Sequence, residues 1–109
     1  MKKSSFCIRY NSGASCTIPG YVLRVGDLRV GVSNYRHPEV KKRTWGAWEL
    51  TSGKPIKIGF DTMLSAQLFL SRNYSRVKEA CEYYLAVINS GNANPGVDPK
   101  YQLLSAKWG

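Results

Sequence analysis

LRVGDLRV, residues 23–30, repeats the triplet Leu-Arg-Val on either side of Gly26-Asp27. Glycine at the first position of a two-residue loop suits a type II′ turn, which joins two antiparallel strands. The repeat therefore predicts a β-hairpin formed by residues 21–25 and 28–33. Pairing across the hairpin places six apolar side chains on one face: Tyr21, Leu23, Val25, Leu28, Val30 and Val32.

The opposite face of the predicted hairpin is basic. Arg24 lies directly across from Arg29 on this face, and the list is completed by Val22, Gly31 and Ser33. Like charges that face each other across a ladder destabilise it by roughly 0.2–1 kcal/mol. A phosphate held between two guanidinium groups would offset this repulsion, because charge-assisted hydrogen bonds are strong. We therefore interpret the arginine pair as a clamp for an anion.

Further strands and one helix follow from the same kind of pattern. Residues 5–10, 44–51 and 55–60 are rich in β-forming side chains, whereas residues 75–89 have apolar positions at helical spacing. The helical stripe comprises Val77, Ala80, Cys81, Tyr84, Leu85 and Ile88, with Ser75 as the expected N-cap. The predicted fold is α+β: an antiparallel sheet of four to five strands with one main helix packed on one face.

The remaining segments define the domain boundaries. Residues 63–70 (MLSAQLFL) fit either a short helix capped by Asp61 or Thr62 or a buried strand. Residues 1–91 are expected to form a single α+β domain, because about 100 residues is a common domain size. Residues 92–109 read as a turn-rich linker and a short amphipathic tail, whose Leu103, Leu104 or Trp108 is expected to pack back on the domain.

The distribution of charge indicates the kind of partner. Sixteen Lys and Arg residues against seven Asp and Glu residues give a net charge of +9. Residues 1–60 contain eleven basic and three acidic side chains, whereas residues 61–109 contain five and four. Such an asymmetry favours a polyanionic partner, with nucleic acid ahead of an anionic membrane surface and DNA ahead of RNA. No apolar run approaches the length that spans a bilayer, so we expect no membrane partner.

The predicted binding surface combines the hairpin arginines with neighbouring strands and a loop. Alternation places Lys57 outward, and it places Trp45 outward because Gly46 and Leu50 share the parity of Trp48. Arginines grip phosphates or guanine edges, and aromatic rings stack on bases or pack on sugars. The predicted nucleic-acid-binding residues are Arg24, Arg29, Arg36, Lys41, Lys42, Arg43, Trp45 and Lys57.

Catalysis, metal binding and cofactors are not expected. Cys7, Cys16 and Cys81 lack the C-x-x-C spacing of zinc sites, and His37 is the single histidine. His37 beside Glu39 is a weak acid–base candidate, and no phosphate-cradling glycine motif is present. A Cys7–Cys16 disulfide is geometrically conceivable, but three buried or semi-buried free thiols in a reducing cytoplasm are the expectation. The start of the chain has no apolar signal-peptide centre.

The order of several short segments resembles a known DNA-binding family. RVGVSNYR, TWGAWEL, SGKPIKIGFDT and KEACEYYLAV, within residues 28–91, resemble the domain of plant ethylene-response factors that packs a three-stranded sheet on a helix. Similar domains occur beside phage-type homing nucleases and in the arm-site-binding part of tyrosine recombinases. The resemblance implies that the sheet enters the major groove, that its arginines and tryptophans touch DNA, and that the helix braces it. This chain departs from the family pattern at Arg29, at Pro55 and in the extra residues 63–74.

A second function class fits the same composition. A protein-interaction module, such as a small viral-type inhibitor that docks on a nucleic-acid-handling partner, would also use a basic sheet face on a small single domain. A shift of DNA mobility at low salt would favour nucleic acid, and its absence would favour a protein partner.

Overall fold

An α+β architecture is built from one antiparallel sheet followed by two helices in the computed structural model, which describes residues 2–10, 13–34 and 44–91. The five strands are neighbours in chain order, so the sheet is a meander. The elements are β1 (Lys2–Arg9), β2 (Ser15–Val25), β3 (Leu28–Ser33), β4 (Trp45–Glu49), β5 (Pro55–Phe60), α1 (Met63–Arg72) and α2 (Tyr74–Asn89).

The predicted hairpin is confirmed as β2 and β3. Arg24 pairs with Arg29, and Val25 pairs with Leu28 at the turn. Gly26 has φ of 60°, and Asp27 is not among the described residues with positive φ. This combination agrees with the type II′ turn expected for glycine at the first loop position.

Strand β2 is longer than predicted. It begins at Ser15, and its first eight residues, Ser15 to Val22, pair along the whole length of β1. The prediction started this strand at Tyr21, and Pro19 and Gly20 are residues that favour turns. Gly20 instead serves a close approach: a Cβ there would lie 2.8 Å from the Phe6 ring. The sheet therefore curls so that the Phe6 ring of β1 lies over Gly20 of β2 and Gly31 of β3.

The curl creates a hydrophobic core on each face of the sheet. On the first face, α1 and α2 cover the strands, and this helix-side core contains Val30, Val32, Ala47, Ile56, Ala66, Leu70, Val77 and Cys81. On the second face, β1 folds over β3 and β4 and forms a strand-side core of Phe6, Ile8, Ile18 and Trp48. The Arg9 N–H donates to the Gly53 carbonyl at 2.9 Å, so the end of β1 closes against the β4–β5 turn.

The two helices lie on the same face of the sheet. The segment after β5, left open between helix and strand, is helix α1; the Thr62 hydroxyl caps it by accepting from the Ser65 N–H at 3.0 Å. The prediction that Ser75 caps the next helix is wrong, because α2 starts at Tyr74 with Asn73 at the N-cap. Only Asn73 separates the helices. The Asn73 carbonyl already accepts from the Val77 N–H at 3.0 Å, so helical bonding starts before Ser75.

The cysteines are free thiols with different exposure: Cys7 is exposed, Cys16 is half-buried and Cys81 is buried. The expectation of three buried or semi-buried thiols is therefore wrong for Cys7, whose side chain points to the uncovered outer side of β1. No helix in the described ranges is long and apolar enough to cross a membrane. The predicted tail, residues 92–109, lies outside the described residues.

Candidate functional site

Three cations meet at the end of the sheet where β2 turns into β3. Arg24 and Arg29 are directly paired, and Lys2 pairs with Val22, two residues before Arg24. Paired residues share a face, so all three side chains lie on the face opposite the helices. Each of the three is exposed. We call Lys2, Arg24 and Arg29 the cationic tip.

The charges of the cationic tip are not neutralised by residues in the described ranges. Neither guanidinium forms an ion pair or side-chain hydrogen bond there, and Asp27, in the turn itself, is the one acidic residue of the hairpin. Directly opposite side chains in an antiparallel pair have Cβ atoms about 4.5–5.5 Å apart. Two guanidinium groups at this spacing can both reach one phosphate group, which makes the tip a suitable anion site.

The cationic tip is attached firmly to the rest of the molecule. The phenol of Tyr74, at the start of α2, lies against Gly26: a Cβ on that glycine would be 2.5 Å from the phenol oxygen. Val25 and Leu28 pack against the helix-side core. The Leu50 N–H donates to the Arg29 carbonyl at 3.2 Å. The arginines therefore project from a braced hairpin rather than from a free loop.

The prediction of an open basic sheet face is correct only at this end. Further along the same face, Gly31, Ser33 and Trp48 are buried. A Cβ on Gly31 would lie 2.7 Å from the Phe6 ring, and the Phe6 and Trp48 rings are 5.9 Å apart. Because β1 covers it, this part of the sheet belongs to the interior, and the predicted binding surface shrinks to the tip.

Lys57 lies on the other face, so its predicted grouping with the arginines is wrong. It pairs with Ala47, and its Nζ lies 4.9 Å from the centroid of Phe69 on α1 and 5.8 Å from that of Phe60. The cause is an irregularity in the β4–β5 register. Trp48 pairs with Pro55 and Ala47 with Lys57, so Ile56 is an extra residue in β5 immediately before Lys57. A second shift, at Gly59 with φ of 99°, precedes Phe60.

Trp45 was predicted to share the arginine face, and this is also wrong. It pairs with Phe60 on the helix side of the sheet, and its ring lies 6.5 Å from that of Tyr21 at an interplanar angle of 32°. Both rings are half-buried, and Lys3, which pairs with Tyr21, is exposed. We call Tyr21 and Trp45 the aromatic pair. Trp48 is buried, as predicted, but in the strand-side core.

The other four predicted binding residues, Arg36, Lys41, Lys42 and Arg43, lie outside the described residues. Arg43 precedes Trp45 by two positions in the chain. Sequence reasoning missed Lys2, Lys3 and Tyr21 as site residues. The available signal was the lysine doublet at the start of a strand, because consecutive residues point to opposite faces and so supply one cation to each.

A buried polar turn was also missed. Between β4 and β5, the Glu49 carboxylate accepts from the Thr51 N–H at 2.8 Å and from the Ser52 N–H at 2.6 Å. Lys54, fully buried in the same turn, has a pKa lowered to about 8, first by burial and then by the nearby Arg9 guanidinium.

Burial, with Glu49 and Glu82 nearby, raises the pKa of the Cys81 thiol to about 12.

The geometry of this polar turn indicates a role in stabilising the fold. Its ionisable groups are enclosed between the sheet and α2, where the Tyr84 hydroxyl donates to the Pro55 carbonyl at 2.7 Å. A reactive amine or thiolate needs access to substrate, and a reactive thiolate also needs a lowered thiol pKa. The pKa of Cys81 is raised instead. Within the described ranges, no group of three or more potential ligands could hold a metal ion.

Comparison of the chain with models of known protein families, with curated proteins and with solved structures returned no match. The segments that resemble the ethylene-response-factor domain lie in β3, β4, β5 and α2 of a five-stranded sheet. Membership of that family stays a prediction.

Proposed function

We propose that the protein binds nucleic acid through the cationic tip, with DNA as the preferred form. The observation that supports this most is the direct pairing of Arg24 with Arg29, both exposed, with Lys2 on the same face. A like-charge pair on a braced hairpin destabilises the free protein by electrostatic repulsion. A phosphate backbone offsets this repulsion because it attracts both guanidinium groups. The overall charge of +9 adds long-range steering.

The contact is made mainly with the backbone of the nucleic acid. Arginine forks bind phosphate oxygens with two parallel hydrogen bonds, and lysine adds a point charge. Phosphate contacts fix the position of a protein on the strand without reading its sequence. We therefore expect affinity that depends strongly on salt and weakly on base composition.

The aromatic pair supplies a second contact on the other face of the sheet. Trp45 and Tyr21 present half-buried rings with the exposed ammonium of Lys3 paired beside them. Aromatic rings flanked by cations stack on bases or pack on sugars in many nucleic-acid-binding proteins. The lysine doublet links the two surfaces, because Lys2 belongs to one face of β1 and Lys3 to the other.

The test compares two variants that remove the same charge. Arg24→Gln/Arg29→Gln removes the tip arginines, and Arg76→Gln/Lys78→Gln removes two exposed cations from α2, on the opposite side of the sheet. In fluorescence anisotropy with a labelled duplex at about 100 mM salt, we expect the tip variant to bind about 10- to 100-fold more weakly. The α2 variant should lose less than about threefold. Equal losses in both variants, or none in the tip variant, would refute the proposal.

The alternative function, a protein-interaction module, has one observation in its favour. Leu64 and Leu68 on α1 are 62% and 40% exposed and lie one turn apart. Exposed apolar side chains on one helix stripe suit a protein contact. If the duplex shows no anisotropy change at low salt, a nuclease-treated pull-down with wild-type protein and Leu64→Glu/Leu68→Glu would test this function.

A further inference from the structure

A groove runs between the β2–β3 hairpin and the corner where α1 meets α2. Its volume is about 510 Å³, within the range of about 300–1,000 Å³ typical of small-ligand sites. The hairpin wall is formed by Leu23, Val25 and the backbone of the turn, and the helix wall by Gln67, Ser71 and Tyr74.

The groove borders the cationic tip at the outer edge of β2. Arg24 lines it and is also one half of the arginine pair, whose side chains project from the face opposite the helices. Gly26 meets Tyr74 at the turn, so the hairpin and α2 are in contact at that end of the groove. The described part of β1 pairs with β2 only as far as Val22, so a strand bound at the arginine pair can cross the edge of β2 beside Arg24 and place a base in the groove.

The lining has the chemistry of a site for a flat heterocycle. Leu23 and Val25 give an apolar wall, and the Tyr74 ring adds aromatic surface. Gln67 and Ser71 add an amide and a hydroxyl on the helix wall; the Ser71 hydroxyl donates to the Gln67 carbonyl at 3.1 Å and keeps its oxygen as an acceptor. A nucleobase has this combination of apolar faces and a polar edge.

We infer that the groove holds one unpaired nucleobase of the strand whose phosphates lie on the cationic tip. Single-stranded nucleic acid is then the favoured class of ligand. This inference rests on the proposed function. A base can enter a groove between two elements only after it leaves its stack, and the cost is smallest for a strand that is already unpaired. Duplex DNA then binds without placing a base in the groove.

The experiment fills the groove without changing the charge. Ser71→Trp places a large side chain on the groove wall, and Ala86→Trp, an exposed position on α2 outside the lining, is the matched control. The probes are a labelled 15-nucleotide oligo-dT and a 15-base-pair duplex. We expect Ser71→Trp to weaken oligo-dT binding about tenfold and to leave duplex binding unchanged, while Ala86→Trp binds both probes like the wild type.

A second measurement removes the bases. The wild-type protein and Ser71→Trp are titrated with a 15-mer of abasic nucleotides, which keeps the phosphates and lacks the bases. The wild type should bind it about tenfold more weakly than oligo-dT, and this difference should be smaller in Ser71→Trp. Equal binding of the two strands by the wild type overturns the inference, and so does the same difference in both proteins, because the bases would then contact only the aromatic pair. If Ser71→Trp weakens both probes equally, the groove assignment is also wrong. Failure of the proposed function has a different signature, because Arg24→Gln/Arg29→Gln would then leave both probes bound as tightly as before.

Discussion

At the scale of single residues, Gly31 and Ile56 explain which side chains the alternation of the strands misplaces. Gly31 leaves room for the Phe6 ring, which allows β1 to cover the sheet. Ile56 is an extra residue in β5 that puts the next residue, Lys57, on the helix side, and a second extra residue, Gly59, precedes Phe60. Strict alternation predicts β3 correctly and fails on β5. A bulge inserts one residue and so reverses the face that each later side chain occupies. Isoleucine, glycine and phenylalanine give no local sign of a bulge in the sequence.

Gly31→Ala tests the packing of Phe6 on the sheet. The added methyl group would lie 2.7 Å from a ring that is itself packed against Trp48, so we expect the free energy of unfolding to fall by about 1–3 kcal/mol. Urea denaturation measures the change. In a protein that already carries Phe6→Leu, the added Gly31→Ala should cost less stability than it does in the wild type. Additive losses would show that the ring and the glycine are not in contact.

The lowered pKa of Lys54 predicts how the stability of the protein depends on pH. Its pKa falls from 10.5 to about 8 on folding, so between these values the unfolded chain binds more protons than the folded one, and stability rises with pH. From pH 7.5 to pH 9 we expect a rise of about 1 kcal/mol in the free energy of unfolding, which Lys54→Met should abolish. Lys78→Met, at an exposed lysine, should keep the rise. Above pH 9 the raised pKa of Cys81 acts in the opposite sense, because the unfolded thiol ionises first.

At the scale of elements, the hairpin and α2 were predictable from local patterns. The two-residue turn, the register of β2 with β3 and the buried stripe Val77, Ala80, Cys81 and Tyr84 follow from turn chemistry and periodicity. The N-terminal half of β2 was not predictable, because Pro19 and Gly20 are turn residues in most contexts and only the overlying Phe6 gives the glycine its role.

Gly26→Ala tests whether the hairpin is braced by α2. Alanine at φ of 60° is strained, and its methyl group would lie 2.5 Å from the Tyr74 hydroxyl oxygen. We expect a loss of about 1–3 kcal/mol in the free energy of unfolding. Asp27→Ala, the exposed neighbour in the same turn, should cost less than about 0.5 kcal/mol. Thermal unfolding followed by circular dichroism compares the two, and equal transition temperatures would contradict the bracing contact.

At the scale of the whole molecule, the fold class could be predicted but the binding surface only in part. Antiparallel strands followed by a helix imply an α+β domain, and that prediction is confirmed. Which sheet face is open depends on the curl that brings β1 over Trp48, a contact between distant parts of the chain. The arginine pair was found because it depends on a two-residue turn alone. Trp45 was misplaced because Trp48 is buried on the arginine face, against Phe6 of β1, and Lys57 because an extra residue precedes it in β5.

The dependence of DNA affinity on salt is the most direct test that Arg24 and Arg29 together bind phosphates. Log affinity of the wild-type protein for a duplex, plotted against log salt between 50 and 200 mM, should fall with a slope of about −3 or steeper, since each neutralised phosphate contributes about −0.9. Because the two guanidinium groups hold one phosphate between them, the slope of Arg24→Gln/Arg29→Gln should be shallower by about 1. A double variant with the wild-type slope and affinity would contradict the proposal, because the arginine pair would then make no contact with the backbone.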